Sequence, residues 1–204
     1  MIYDIKIIES KKDLDGCPGF EVDNFNWGGD YRPKTSGRLA YVQDKGFLIR
    51  LETDERNPVT DYRNYQDPVY KDCAMEAFFD LSPEEGKFHY TNFEMNSAGA
   101  LLNHFGGLRG SRSDVKAYTD MVLKPVTEVR EDGWSVELLI PNEYAQDLFG
   151  KGSFKTGDRI RFNCYKIREV GDERCPAHFA SMAPIRTEKP DFHRPEFFAD
   201  GILV

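Results

Sequence analysis

Arg38-Leu39-Ala40-Tyr41-Val42-Gln43-Asp44-Lys45-Gly46-Phe47-Leu48-Ile49-Arg50-Leu51-Glu52-Thr53 carries the clearest mark of the fold class. Leu39, Tyr41 and Gln43 alternate with their neighbours before Asp44-Lys45-Gly46, and Phe47, Ile49, Leu51 and Thr53 alternate after it. Two period-2 runs separated by a glycine-bearing turn specify a β-hairpin. The same texture recurs outward from it. Strands are predicted near Met1–Ile8 and over Cys73–Asp80, Phe88–Asn96, Ala117–Lys124, Trp134–Ile140, Arg159–Arg168 and Gly201–Val204. Only Pro141–Phe149, closed by Gly150, reads as a helix, with Tyr144, Ala145 and Leu148 on one face. Many short strands with little helix predict an all-β fold, a two-sheet antiparallel β-sandwich of jelly-roll type with one short helix.

At 204 residues the chain fits a single domain, 1–204, large enough to fold without disulfides or metal. Its 15 Phe and 10 Tyr add to the strand signal, because aromatic side chains suit a pleated, half-buried surface. A net charge of −8 argues against nucleic acid or an anionic membrane as partner and leaves neutral ligands and divalent cations. No apolar run is long enough to span a bilayer, and the N-terminus has neither a basic nor an apolar leader region. The expected location is therefore the cytoplasm, or outside the cell if a leader has been trimmed.

Cys17, Cys73, Cys164 and Cys175 follow no C-x-x-C spacing, and Cys73 and Cys164 sit in apolar-rich strands as expected buried thiols. Cys175-x-x-His178 is only half of a zinc pair, and His89, His104 and His193 are scattered, which weighs against zinc. Calcium is compatible with the turn-rich segment holding Asp54, Glu55, Asp61 and Asp67, because such sites have no fixed spacing outside the EF-hand. No cofactor is required. Phosphate loops, nucleophile elbows and metalloprotease motifs are all absent from the sequence.

The strand faces opposite the core carry the chemistry. Cys73, Met75, Ala77 and Phe79 form one face of their strand, which leaves Asp72, Ala74, Glu76 and Phe78 on the other, with Tyr70 just before it. Tyr90, Asn92, Glu94 and Asn96 share a face of the next strand, and Arg161, Asn163 and Tyr165 repeat the pattern further on. Acids beside aromatic rings suit sugars, whose CH faces stack on rings while their hydroxyls need carboxylate acceptors. A solvated outer face is the alternative reading. Glu76 and Glu94 on neighbouring strands also admit an acid/base pair for glycoside hydrolysis. The tail, Lys189-Pro190-Asp191-Phe192-His193-Arg194-Pro195-Glu196-Phe197-Phe198, packs aromatic and polar groups between prolines that stiffen it. Alone it reads as a loop pinning the last strand with Phe192 and Phe197 buried, and it walls a slot only if Phe192 points outward.

Taken in order, Val69-Tyr70-x-Asp72-x-x-x-Glu76-x-Phe78-Phe79, Tyr90-x-Asn92-Phe93-Glu94-x-Asn96-x-x-Gly99, Trp134-x-x-Glu137-x-x-Ile140-Pro141, Arg161-Phe162-Asn163-x-Tyr165-Lys166 and Pro190-Asp191-Phe192-His193-Arg194-Pro195-x-x-Phe198 resemble the family 9-like carbohydrate-binding modules. The resemblance runs from about Arg38 to Val204. It implies a β-sandwich that binds sugar without cleaving it, of the kind attached to xylanases and used in polysaccharide catabolism. In those modules a sugar lies between two tryptophans, and the matching positions here are Tyr70 and Phe192. Glu76 matches the family's hydroxyl-binding glutamate, whereas Glu94 stands where the xylanase modules have arginine. The expected ligand is a mono- or oligosaccharide, stacked by Tyr70 and Phe192 and held by Glu76, Glu94, Asn96, Asn163 and Arg194. His193 and Tyr165 are contacts of second rank.

Overall fold

The computed structural model describes residues 1–204. The strands are β1 (Ile2–Ile8), β2 (Gly19–Glu21), β3 (Asn24–Gly28), β4 (Thr35–Val42), β5 (Gly46–Thr53), β6 (Ala74–Asp80), β7 (Tyr90–Asn96), β8 (Leu101–Gly106), β9 (Arg112–Asp114), β10 (Val126–Arg130), β11 (Gly133–Pro141), β12 (Arg159–Arg168), β13 (His178–Ser181) and β14 (Ala199–Leu203). One α-helix, α1 (Asn142–Phe149), follows β11.

The hairpin at 38–53 forms as expected, with Leu39 opposite Ile49 and Tyr41 opposite Phe47. Its turn places Asp44 in the left-handed region, at φ 58°. Gly46 follows at φ 139°, where a Cβ would collide with the Ile140 carbonyl of β11. Helix α1 buries the three residues its pattern selects, Tyr144, Ala145 and Leu148, and Gly150 closes it at φ 68°.

The strands run β10-β11-β5-β4-β1-β14-β12-β6-β7-β8-β9, with β2 beside β4, β13 beside β12, and β3 beside β13. β1 links the two halves. Its first half (Ile2–Ile5) pairs parallel with β14, and its second half (Lys6–Ile8) pairs parallel with β4. The fold is therefore all-β and sandwich-like, built from a curled, mixed sheet rather than two separate antiparallel sheets. Parallel partners need long connections, so the local alternation of β1 carries no trace of which strands it joins.

Between the halves lies a core of Leu39, Phe47, Ile49, Leu51, Trp134 and Val136 from one side, facing Met75, Ala77, Phe79, Phe93, Met95 and Phe162 from the other. The segment Ala117–Lys124 is not a strand. Met121 and Leu123 still pack on the core from a loop, and the strand lies further on as β10. No helix is long and apolar enough to cross a membrane.

Candidate functional site

The outer face of the β6–β7–β8 region, away from the core, holds the site. Period-2 geometry sends Met75, Ala77 and Phe79 inward and leaves Glu76 outward. Across the ladder Tyr165, Glu76, Glu94 and Leu102 stand in one row, from β12 through β6 and β7 to β8. Asn163, Phe78, Asn92, His104 and Asp114 form the neighbouring row.

The tail covers one end of this face. Phe78, Tyr90, Tyr165, Ile167, Ile185, Phe192 and Phe198 make a second small core there. Polar anchors hold the tail in place: Trp27 Nε1 donates to the Thr187 carbonyl at 3.1 Å, and Tyr165 Oη to the Phe192 carbonyl at 3.2 Å. Arg161 donates to the Pro195 carbonyl at 3.0 Å. The uncovered end is a cavity of about 690 Å³, within the size range of small-molecule sites. Glu76, Glu94, Tyr70, Phe179, Arg112 and His193 are among its walls.

Glu76 and Glu94 are cross-strand partners, 2% and 4% exposed. Glu94 Oε1 accepts from Asn92 Nδ2 at 2.8 Å, while its Oε2 has no partner in the protein. Burial pushes the Glu94 carboxyl up to about 7, against the pull of Arg112. Burial, and then the Glu94 charge, also holds Glu76 well above the ordinary carboxylate range. Two adjacent buried carboxyls with an orphaned oxygen are costly for the fold unless something else satisfies them.

Arg112 crosses the cavity edge. It donates to Tyr90 Oη at 3.1 Å and to Asn92 Oδ1, contacts His193 Nδ1, and sits 4.8 Å over the Tyr90 ring. His193 stacks on Phe78 at 5.0 Å, and burial, then the Arg112 charge, push its imidazole down to about 2. It is neutral at any working pH. Arg109 reaches Asp191 of the tail at 3.3 Å and bridges the cavity rim.

The expected contacts divide into two groups. Tyr70, Glu76, Glu94 and Phe192 are brought together around the cavity. Phe192 is not an open wall, however. It is 6% exposed and stacked flat on Tyr165, with centroids 4.1 Å apart and planes at 12°, so one of its faces is taken. Phe179, only partly buried, lines the same cavity at 6.3 Å from Phe192.

Asn96, Asn163 and Arg194 are placed elsewhere. Asn96 Nδ2 donates to the Tyr62 carbonyl and Asp72, and its Oδ1 accepts from Ala98 and Ala100, so it fastens the long 54–72 segment to β7. Asn163 is equally occupied, with Ala183 and the Cys164 amide. Arg194 pairs with Glu196 at 2.6 Å outside the cavity. The acids of the turn-rich segment do not converge either: Asp54 accepts from Lys34, Asp61 from Arg174 and Asp67 from Asn64, while Glu55 pairs with Lys166.

Arg109, Arg112, His104 and Phe179 are cavity residues the sequence reading does not select. The alternation of Leu102 and His104 within Leu101–Gly106 is the one local signal that points to β8. The two arginines belong to a glycine-rich stretch, 106–112, that reads as a plain flexible loop.

The fold and cavity together define a sandwich-like β-domain with one roofed polar pocket on its outer face. The sequence profile of carbohydrate-binding family 9 matches residues 9–203, and the chain belongs to that family. A candidate carbohydrate-binding protein from Bacteroides uniformis ATCC 8492, known from a crystal structure, superposes with a TM-score of 0.79 at 24% identity. The match covers 100% of this chain and 99% of that one, and at this identity it speaks for the fold alone. No curated protein matches the chain.

Proposed function

We propose that the chain binds a mono- or oligosaccharide in the cavity above Glu76 and Glu94, without cleaving it. The observation that carries this reading is the pair of buried carboxyls at the cavity wall, with Glu94 Oε2 lacking any protein partner. Sugar hydroxyls are the neutral donors such oxygens need. Tyr70 and Phe179 offer ring surface for the CH face of a pyranose, and Phe192 lines the same cavity. Arg112 and Arg109 supply donors in the same cavity. Family membership supports the ligand class.

Both glutamates rise from one wall as strand neighbours, a layout for gripping adjacent hydroxyls. A hydrolase needs its two carboxyls to flank the scissile bond. Isothermal titration against a panel of neutral mono- and oligosaccharides tests the reading. At least one sugar should release heat, and Tyr70→Ala and Glu94→Gln should each weaken it tenfold or more. Absence of heat with every sugar, or affinity untouched by both substitutions, would sink it. Turnover of aryl glycosides abolished by Glu76→Gln would instead make the chain a hydrolase.

A further inference from the structure

A second buried cluster lies beside the start of β6, outside the sugar cavity. Cys73, just before β6, and Cys175, on the loop before β13, bring their sulfurs to 3.6 Å, and Glu55 Oε1 lies 3.8 Å from the Cys175 sulfur. All three ligand atoms fall within 4.8 Å of one another, and all three residues are buried. They line a separate cavity of about 510 Å³, which gives the cluster a path to solvent.

From this geometry we infer that Cys73, Cys175 and Glu55 form a binding site for a thiophilic divalent cation of the zinc type, with solvent in the fourth position. The spacing supports coordination over a disulfide. Two sulfurs at ~2.3 Å from a tetrahedral zinc stand about 3.8 Å apart, whereas a disulfide requires ~2.05 Å. Three protein ligands and one open position make a recurring zinc arrangement.

The surroundings orient the ligands. Glu55 Oε2 accepts from Lys166 Nζ at 2.9 Å and Trp134 Nε1 at 3.2 Å, so the carboxylate is clamped with Oε1 turned to the sulfurs. Oε1 accepts only long hydrogen bonds, from Tyr31 Oη at 3.4 Å and from the Cys175 thiol at 3.8 Å. Second partners of this kind fix ligand orientation in metal sites.

His178, the sequence partner of Cys175, is not a ligand. Its Nδ1 faces the Pro176 carbonyl at 2.9 Å and its Nε2 lies 2.8 Å from Lys166 Nζ, so it steers the ammonium instead. The Cys175 loop is held in place: Arg168 donates to Asp172 at 3.0 Å and to the Cys175 carbonyl, and Arg174 ties Asp172 to Asp61. The charges also close. Lys166 neutralises Glu55, and each thiol loses its proton to solvent as its sulfur–metal bond forms, so two thiolates and one dication add no net charge to the buried cluster.

Titration of the reduced, chelator-treated full chain with Co²⁺ and then Zn²⁺ tests the site. One equivalent of Co²⁺ should give a thiolate-to-cobalt charge-transfer band, Zn²⁺ should bleach it, and bound Zn²⁺ should protect two thiols from a thiol reagent. Cys175→Ser and Cys73→Ser should each remove the band, and Glu55→Gln should weaken Zn²⁺ binding at least tenfold. The wild-type spectrum is decisive even if a variant misfolds. A folded wild-type chain with no band, a band that survives both cysteine substitutions, or quantitative loss of two hydrogens to a Cys73–Cys175 disulfide under a mild disulfide oxidant without metal uptake would each overturn the assignment.

Discussion

Glu94 sits where burial makes it unwelcome, and its titration exposes the conflict. Its carboxyl is pushed up to about 7 in the folded protein, against an ordinary value of 4.5. The folded state therefore holds this proton more tightly than the unfolded chain. The contribution of Glu94 to stability is greatest below pH ~4.5 and declines as the pH rises towards ~7, by about 3 kcal/mol for such a shift. Glu94→Gln removes that decline. It should raise the melting temperature at pH 8, change little at pH 4.5, and lose sugar affinity, as calorimetry at the two pH values can check. A residue that costs stability and gains a ligand contact is the trade-off expected of a binding site. Asn96 is the opposite case. Its side chain makes four hydrogen bonds, all internal, so Asn96→Ala should cost about 2–4 kcal/mol in denaturant unfolding while the cavity walls stay in place. Phe192 and Tyr70 separate in the same way. Phe192→Ala empties a packed stack and should cost about 3–5 kcal/mol, while Tyr70→Ala should cost about 1 kcal/mol or less and act on affinity.

Among the elements, the tail is the one whose role depends most on what it meets. Alone, it is a proline-stiffened segment rich in Phe. In the fold it roofs one end of the polar face, held by Trp27 through the Thr187 carbonyl and by the 6.1 Å contact of Trp27 with Phe192. Trp27→Ala should speed amide exchange over residues 185–193 and lower sugar affinity several-fold while the main core stays protected. Hydrogen exchange by mass spectrometry reads both regions at once. The hairpin of β4 and β5, helix α1 and the two faces of β6 and β7 are legible in the sequence because each rests on local alternation or a local cap. β8, β9 and β13 escape because they are short, polar or interrupted by glycine. Ala117–Lys124 misleads for the converse reason: Met121 and Leu123 are apolar because they touch the core, although no ladder holds them.

On the scale of the whole molecule, β1 joins two halves that would otherwise be separate sheets. Ile5 is fully buried in the core, and a side chain at Gly201 of β14 would strike it. Ile5→Ala should cost about 2–5 kcal/mol. Unfolding should remain one transition, with tryptophan fluorescence and far-UV circular dichroism coincident, because neither half keeps a closed core without the other. The chain alone makes the β-class, the helix, the two-faced strands and the family legible, since these rest on periodicity and on short motifs in fixed order. It also placed Tyr70, Glu76, Glu94 and Phe192 in one candidate site. Long-range packing, by contrast, makes the sheet mixed, sets Asn96 and Asn163 to holding loops, stacks Phe192 on Tyr165, and completes the cavity with Arg109, Arg112 and Phe179. The same holds for Cys73 and Cys175, which lie 102 positions apart and meet at 3.6 Å. Side-chain identity sets what a residue can bond, but long-range pairing sets which partner reaches it first, and that choice is not written within any one stretch of chain.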